Sequence, residues 1–121
     1  MSDFAVAGAN AFLNGTALPA TLYPQLHIGN PGVNGTANVA AASTRPGFTR
    51  TSASGGVVTN ASQVQWLDVP NTEDITHISY WGSAVGGICW FIDDVTDKSI
   101  FTGDSVTIVI GGISITFPVW T

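Results

Sequence analysis

Charge is what this sequence has least of. Asp, Glu, Lys and Arg together make up 9% of its 121 residues, where a globular domain usually carries about a quarter. Only three residues are basic against eight acidic, for a net charge of −5. With no basic stripe there is no electrostatic footing on a phosphate backbone, so nucleic acid is not an expected partner. Cysteine occurs once, at Cys89, which excludes an intrachain disulfide. Inside the apolar run Ile88-Cys89-Trp90-Phe91-Ile92 it reads as a small buried hydrophobe. No apolar run approaches the roughly eighteen residues of a membrane helix. The N-terminus has neither the basic nor the apolar region of a signal peptide. Synthesis in the cytoplasm, with no membrane partner, is the expectation.

Apolar residues are plentiful, at 45%, which argues against disorder. A chain of this length is one domain and buries roughly two-thirds of its unfolded surface, enough for a core without staples. Its surface must then be covered by Thr, Ser, Asn, Gly and Ala. Such a surface loses little on desolvation and suits packing against other subunits.

The strongest local signal is Ile75-Thr76-His77-Ile78-Ser79-Tyr80-Trp81, a Gly-rich connection from Gly82 to Gly87, and then Ile88 to Ile92. The first run alternates, placing Ile75, His77, Ser79 and Trp81 on one face and Thr76, Ile78 and Tyr80 on the other. The second is unbroken, as in a strand covered on both sides. The aromatics of this hairpin bring more buryable area than any other stretch, so it is expected at the centre of the core.

Upstream, Ser2 and Asp3 can cap a helix over about Phe4 to Leu13, ended by Asn14-Gly15. Thr21 to Ile28 reads as a strand that Pro24 confines to an edge or interrupts. Gly29-Asn30-Pro31-Gly32 and Asn34-Gly35 are turn sequences, giving a shaped, exposed loop over Gly29 to Asn38. Residues 39–43, 48–52, 57–59 and 64–67 are further strand candidates. Asp93 to Lys98 reads as a polar loop, and 105–110 and 113–120 as the last strands. With about eight or nine short strands spaced by roughly ten residues, the pattern is all-β. It predicts a two-sheet β-sandwich, immunoglobulin-like or jelly-roll, with one short N-terminal helix. The division is an arm over 1–18 and a sandwich over 19–121.

Little in the chain looks like reaction chemistry. His27 and His77 have no partners at zinc-ligand spacing. Asp93, Asp94 and Asp97 lack the spacing and closing glutamate of a calcium loop. No G-x-S-x-G elbow marks a serine nucleophile, and the acids fall in predicted loops, turns or the helix start, away from the rigid strands a glycosidase pair needs. Neither catalysis, nor a cofactor, nor a metal site is expected.

Four blocks in order carry a resemblance: Asn10-Ala11-Phe12-Leu13-Asn14-Gly15; Pro19 through Gly32; Ile75 to Trp81 with Ala84-Val85-Gly86-Gly87; and Thr102-Gly103-Asp104-Ser105-Val106-Thr107-Ile108. Together they resemble small tailed-bacteriophage virion proteins, the head-decoration, minor-tail and tail-fibre-like group. The chain departs from that pattern at Ile28-Gly29-Asn30, at 39–43 and in the aromatic end Phe117-Pro118-Val119-Trp120. The resemblance implies a non-catalytic virion subunit. The leading expectation is a decoration protein clamped outside the head as a homotrimer, partnered by the major capsid protein or other virion proteins. The alternative is a minor tail or tail-fibre component that contacts the host surface, through a glycan if it sits on the tail. The expected contact residues are Phe4, Phe12, Leu13, Asn30, Pro31, Val33, Asn34, Val119 and Trp120.

Overall fold

The computed structural model describes residues 19–116, apart from the side chains of Thr96 and Thr116. The expected helix over Phe4 to Leu13, the arm 1–18 and the aromatic C-terminus lie outside the described residues. Eight strands follow in order: β1 (Thr21–His27), β2 (Phe48–Thr49), β3 (Val57–Thr59), β4 (Val64–Trp66), β5 (Glu73–Trp81), β6 (Cys89–Ile100), β7 (Val106–Ile108) and β8 (Ser114–Thr116). Every pairing is antiparallel. The chain is all-β, layered as a sandwich, with no helix among the described residues.

One layer is a four-stranded sheet in the order β2-β1-β5-β6. Pro24 sits in β1 opposite Tyr80 of β5. Ile28 donates its N–H to Asn38, and Leu26 accepts from Ala40, so the even-numbered backbone groups of β1 face away from β5. Pro24 shares that phase, and the β2 pairing has ended by then, at Leu22↔Phe48. Its missing donor therefore removes no ladder bond. Residues 39–43, expected as a strand, form only the isolated bridge His27↔Val39. Their role is packing, since Ala40 and Ala42 point into the core.

Two further expectations change at β5 and β6. The pairing shifts between Ile75↔Lys98 and His77↔Asp94, with Val95, Thr96 and Asp97 opposite Thr76. Such a bulge resets the alternation. As a result Ile75 joins Ile78 and Tyr80 in the core, while His77, Ser79 and Trp81 share the back face. The predicted loop over Asp93 to Lys98 is instead a continuation of β6, paired to β5 as far as Ile100. A polar strand is stable there because β6 is the sheet's edge and one face meets water. For the same reason β6 is not covered on both sides, and Ile92 remains 38% exposed. Of the eight acids, Glu73, Asp74, Asp93, Asp94 and Asp97 thus lie on strands, contrary to the expectation of loops.

The second layer is a single antiparallel ribbon with a break. Val57↔Thr116 to Thr59↔Ser114 pairs β3 with β8, and Val64↔Ile108 to Trp66↔Val106 pairs β4 with β7. Between them residues 109–113 bow outward around Asn60. The Asn60 side chain donates to the carbonyls of Ser62 and Val109, both at 2.9 Å, and accepts from Ile113 N–H at 2.9 Å. Its own carbonyl accepts from Gly111. One fully buried amide therefore replaces the ladder across the break, and its donors and acceptor are used. The layers join at the bridge Arg50↔Asn60. Between them pack Leu22, Leu26, Phe48, Val58, Val64, Trp66, Ile75, Ile78, Tyr80, Ile100, Ile113 and Ile115. The Phe48 and Tyr80 rings meet edge-on, with centroids 6.3 Å apart.

Candidate functional site

The back face of the four-stranded sheet, away from the core, gathers the unusual side chains. Register places Tyr23 opposite Trp81, Gln25 opposite Ser79 and His27 opposite His77. His27 and Ser79 have no solvent exposure at all. The His27 Nδ1 lies 2.8 Å from the Ala37 carbonyl, which can only accept, so Nδ1 carries the proton. Nε2 is then the acceptor, and it lies 2.7 Å from Ser79 Oγ. Trp81 Nε1–H donates to the same Oγ at 2.7 Å. The chain of bonds runs one way, from Trp81 to Ser79 to His27 to Ala37. Burial pushes the His27 pKa down, against the backbone bonds that favour its charged form.

A serine and a histidine 2.7 Å apart invite comparison with a nucleophile and its base. The geometry is that of a strut. The Ser79 oxygen is sealed from solvent and already accepts from Trp81. The histidine is oriented by a carbonyl where a triad uses a carboxylate. The other histidine, His77, is bonded to Thr76 Oγ1 at 2.7 Å and lies 4.0 Å from an Asp94 oxygen. Asp93 and Asp94 project to opposite faces of β6. Asp93 is hydrogen-bonded to Tyr80 on the core side, and burial raises its carboxyl pKa against that bond. The two therefore do not converge on one cation. No group of three metal-ligating side chains assembles among the described residues.

The loop over 29–38 closes this face. Asn30 Oδ1 accepts from Gly32 N–H at 2.9 Å, and the Asn30 carbonyl accepts from Asn38 Nδ2 at 2.8 Å. Ala37 N–H donates to the Pro31 carbonyl at 2.9 Å. Gly35, with φ of +71°, lies so close to β6 that a Cβ there would be 2.6 Å from Cys89 Sγ and 3.3 Å from Trp81 Cζ2. Only glycine meets both demands. Of the contact residues expected in this loop, Pro31 is buried as part of the anchor, while Asn30, Val33 and Asn34 face solvent. Val33 is 96% exposed at the apex. Phe4, Phe12, Leu13, Val119 and Trp120 lie outside the described residues.

Beside the loop stands the tip of the β5–β6 hairpin, held by a residue that the sequence pattern did not single out. Arg45 lies over the Trp81 ring, 4.0 Å from its centroid. It donates to the carbonyls of Ser83 at 3.2 Å and Gly86 at 2.8 Å, and to Gln25 Oε1 at 3.3 Å. These bonds fix a tip that glycine would otherwise leave loose, and they present Val85, 89% exposed, with Ile88 alongside. A shallow groove of about 450 Å³ runs between Ser43–Pro46 and Ala84–Val85. The available signal was scarcity: an arginine flanked by Thr44 and Pro46, in a chain with three cations, is a costly choice for a plain connector. What results is a braced surface with apolar side chains exposed at Val33, Val85 and Ile88.

No curated protein matches the chain. A protein-family model described as Podophage GP4 fiber I protein gp80 matches residues 4–116. That family describes a fibre, which accords with the second of the two expectations from sequence. The match omits only three residues at the start and five at the end. The chain belongs to the Podophage GP4 fiber I protein gp80 family, and is a structural protein of the bacteriophage virion.

Proposed function

We propose that the protein is a subunit of a virion fibre and works by contact alone, with Val33, Asn34, Val85 and Ile88 meeting neighbouring virion proteins. The observation that carries this is the family match over 4–116 to a protein described as a fibre. The buttressed surface supports it: Arg45 and the His27–Ser79–Trp81 bonds hold two loops in shape before any partner arrives. Ordering costs already met within the subunit need not be met again at the interface. Weak contacts of this kind gain strength when repeated between copies, as in a homotrimer.

Quantitative mass spectrometry of purified particles tests the placement. A fibre subunit is present in small multiples of the fibre number, whereas a decoration protein is present in hundreds of copies. A count in the hundreds, with density spread over the head in particle images, would replace the fibre by the head-decoration role. The contact surface is tested by a Val33→Asp, Val85→Asp double variant, which should fold normally and fail to enter particles.

A further inference from the structure

His27 is sealed from solvent, and the 29–38 loop closes the face on which its ring lies. The loop holds its own shape: Asn38 and Gly32 bond to Asn30, Ala37 to Pro31, and Gly35 to Gly32. Different contacts tie it to the sheet. His27 Nδ1–H donates to the Ala37 carbonyl at 2.8 Å, Ile28 N–H donates to the Asn38 carbonyl at 2.9 Å, and Gly35 rests against Cys89 and Trp81. Just beyond, the Glu73 carboxylate holds Ala41 N–H at 2.9 Å and fixes where the chain rejoins the core. The segment is compact, its ends meet, and one imidazole fastens its inner side.

We infer that this loop is a proton-operated lid: a proton taken from solvent by His27 Nε2 releases it from the back face and withdraws Val33 and Asn34 from contact. The role rests on the reading of Val33 and Asn34 proposed above; the lid itself does not. The neutral ring suits the closed site because Ala37 accepts from Nδ1 and Ser79 Oγ donates to Nε2. Protonation turns Nε2 into a donor facing a hydroxyl that already accepts from Trp81 Nε1. The Ser79 proton then loses its acceptor in a site closed to water.

The charged groups nearby add to the cost. On β5 His77 lies directly opposite, and Arg45 approaches from the 43–46 segment; both repel a charge on His27. On β6 the Asp94 carboxylate sits by His77, 4.0 Å from its Nε2, and burial pushes the Cys89 thiol pKa up. Tyr23 lies at the far end of β1, opposite Trp81. The loop from Gly29 to Asn38 holds no ionisable side chain. A charged ring is therefore hydrated by opening the lid, and burial holds its proton affinity down while the lid is shut. The closed form is favoured above about pH 6.5 and loses ground as pH falls towards the depressed value.

The purified full-length chain tests this through its single thiol, which Gly35 covers. Between about pH 7.5 and 5.0, modification of Cys89 by 4,4′-dithiodipyridine should accelerate roughly fivefold or more in the wild type relative to His27→Gln, which cannot take up the proton. A flat ratio of the two rates would overturn the lid. Should His27→Gln fail to fold, amide exchange of the wild type decides. The protection of Ile28 should fall roughly tenfold or more over that range while Ile78 and Tyr80 stay protected. Equal loss at all three would mark global unfolding and overturn the lid, as would unchanged protection at Ile28. These readouts need no partner, so their failure strikes the lid alone, whereas entry of the Val33→Asp, Val85→Asp variant into particles would overturn the contact role the lid is given.

Discussion

Ser79 Oγ stands 2.7 Å from His27 Nε2 and 2.7 Å from Trp81 Nε1, and serves both in opposite senses, as donor to the ring and acceptor from the indole. A single hydroxyl thereby ties β1 to β5 and fixes the floor on which the 29–38 loop rests.

Ser79→Ala should therefore cost more than the loss of one hydrogen bond. It strands a buried imidazole nitrogen and a buried indole N–H, each an unsatisfied group worth about 1–3 kcal/mol. We expect the urea midpoint to fall by an equivalent of about 2–4 kcal/mol. A change below about 0.5 kcal/mol would show that water enters to replace the hydroxyl.

The same bonds set a pH dependence. Burial holds the His27 pKa below its ordinary value of about 6.5, so the unfolded chain takes up the proton first. The stability this represents is fully present above about pH 6.5 and is lost as pH falls from there towards the depressed folded value. Asp93 works the other way. Its carboxyl is held above its ordinary range, so its contribution is present in acid and is lost as pH rises through the raised value. Urea midpoints between about pH 7.5 and 5.5 should fall in the wild type and fall less in His27→Asn, which keeps a donor near Ala37. Parallel curves for the two proteins would remove His27 as the source.

Gly35 predicts a rescue. Gly35→Ala meets both a left-handed φ of +71° and the Cys89 sulfur at 2.6 Å. The backbone part costs about 1 kcal/mol or more, and the steric part adds to it. Cys89→Ala in the same chain removes the sulfur but not the φ, so melting temperature should recover in part. Simple additivity of the two losses would mean that the loop does not rest on Cys89.

Asn60 offers a test specific to the ribbon. Asn60→Asp keeps the acceptor for Ile113 N–H but turns the donor to Ser62 and Val109 into a second acceptor. Two carbonyls would then face a buried carboxylate. Asn60→Asp should lose at least as much stability as Asn60→Ala, for which we expect about 3 kcal/mol. In both, amide exchange should rise at 109–113 before it rises in β5.

Much of the fold was legible because its signals are local. Turn chemistry placed the breaks at Gly29–Gly35 and Gly82–Gly87, and alternation located β5. The errors arose where a partner strand decides. Nothing in Asp93-Asp94-Val95-Thr96-Asp97 distinguishes a loop from an edge strand, because a strand with one wet face tolerates either composition. The face on which Ile75 lies depends on a bulge whose extra residues are in β6, about twenty positions away. The acids were expected off the strands for the same reason.

The candidate surface divides in the same way. Asn30 to Asn34 read as a shaped, exposed loop from Pro and Gly alone, and Asn30, Val33 and Asn34 do face solvent. That Pro31 turns inward, and that Arg45 binds carbonyls across the Trp81 ring, follows from contacts between residues tens of positions apart.

By itself the sequence determined a charge-poor, all-β chain with turns at known places, since composition, alternation and glycine act within a few residues. Tertiary structure alone decided the faces, the edges and the buried polar bonds. A side chain's burial and hydrogen-bond partner are properties of the pair of strands that meet there, and neither strand encodes that meeting in its own neighbours.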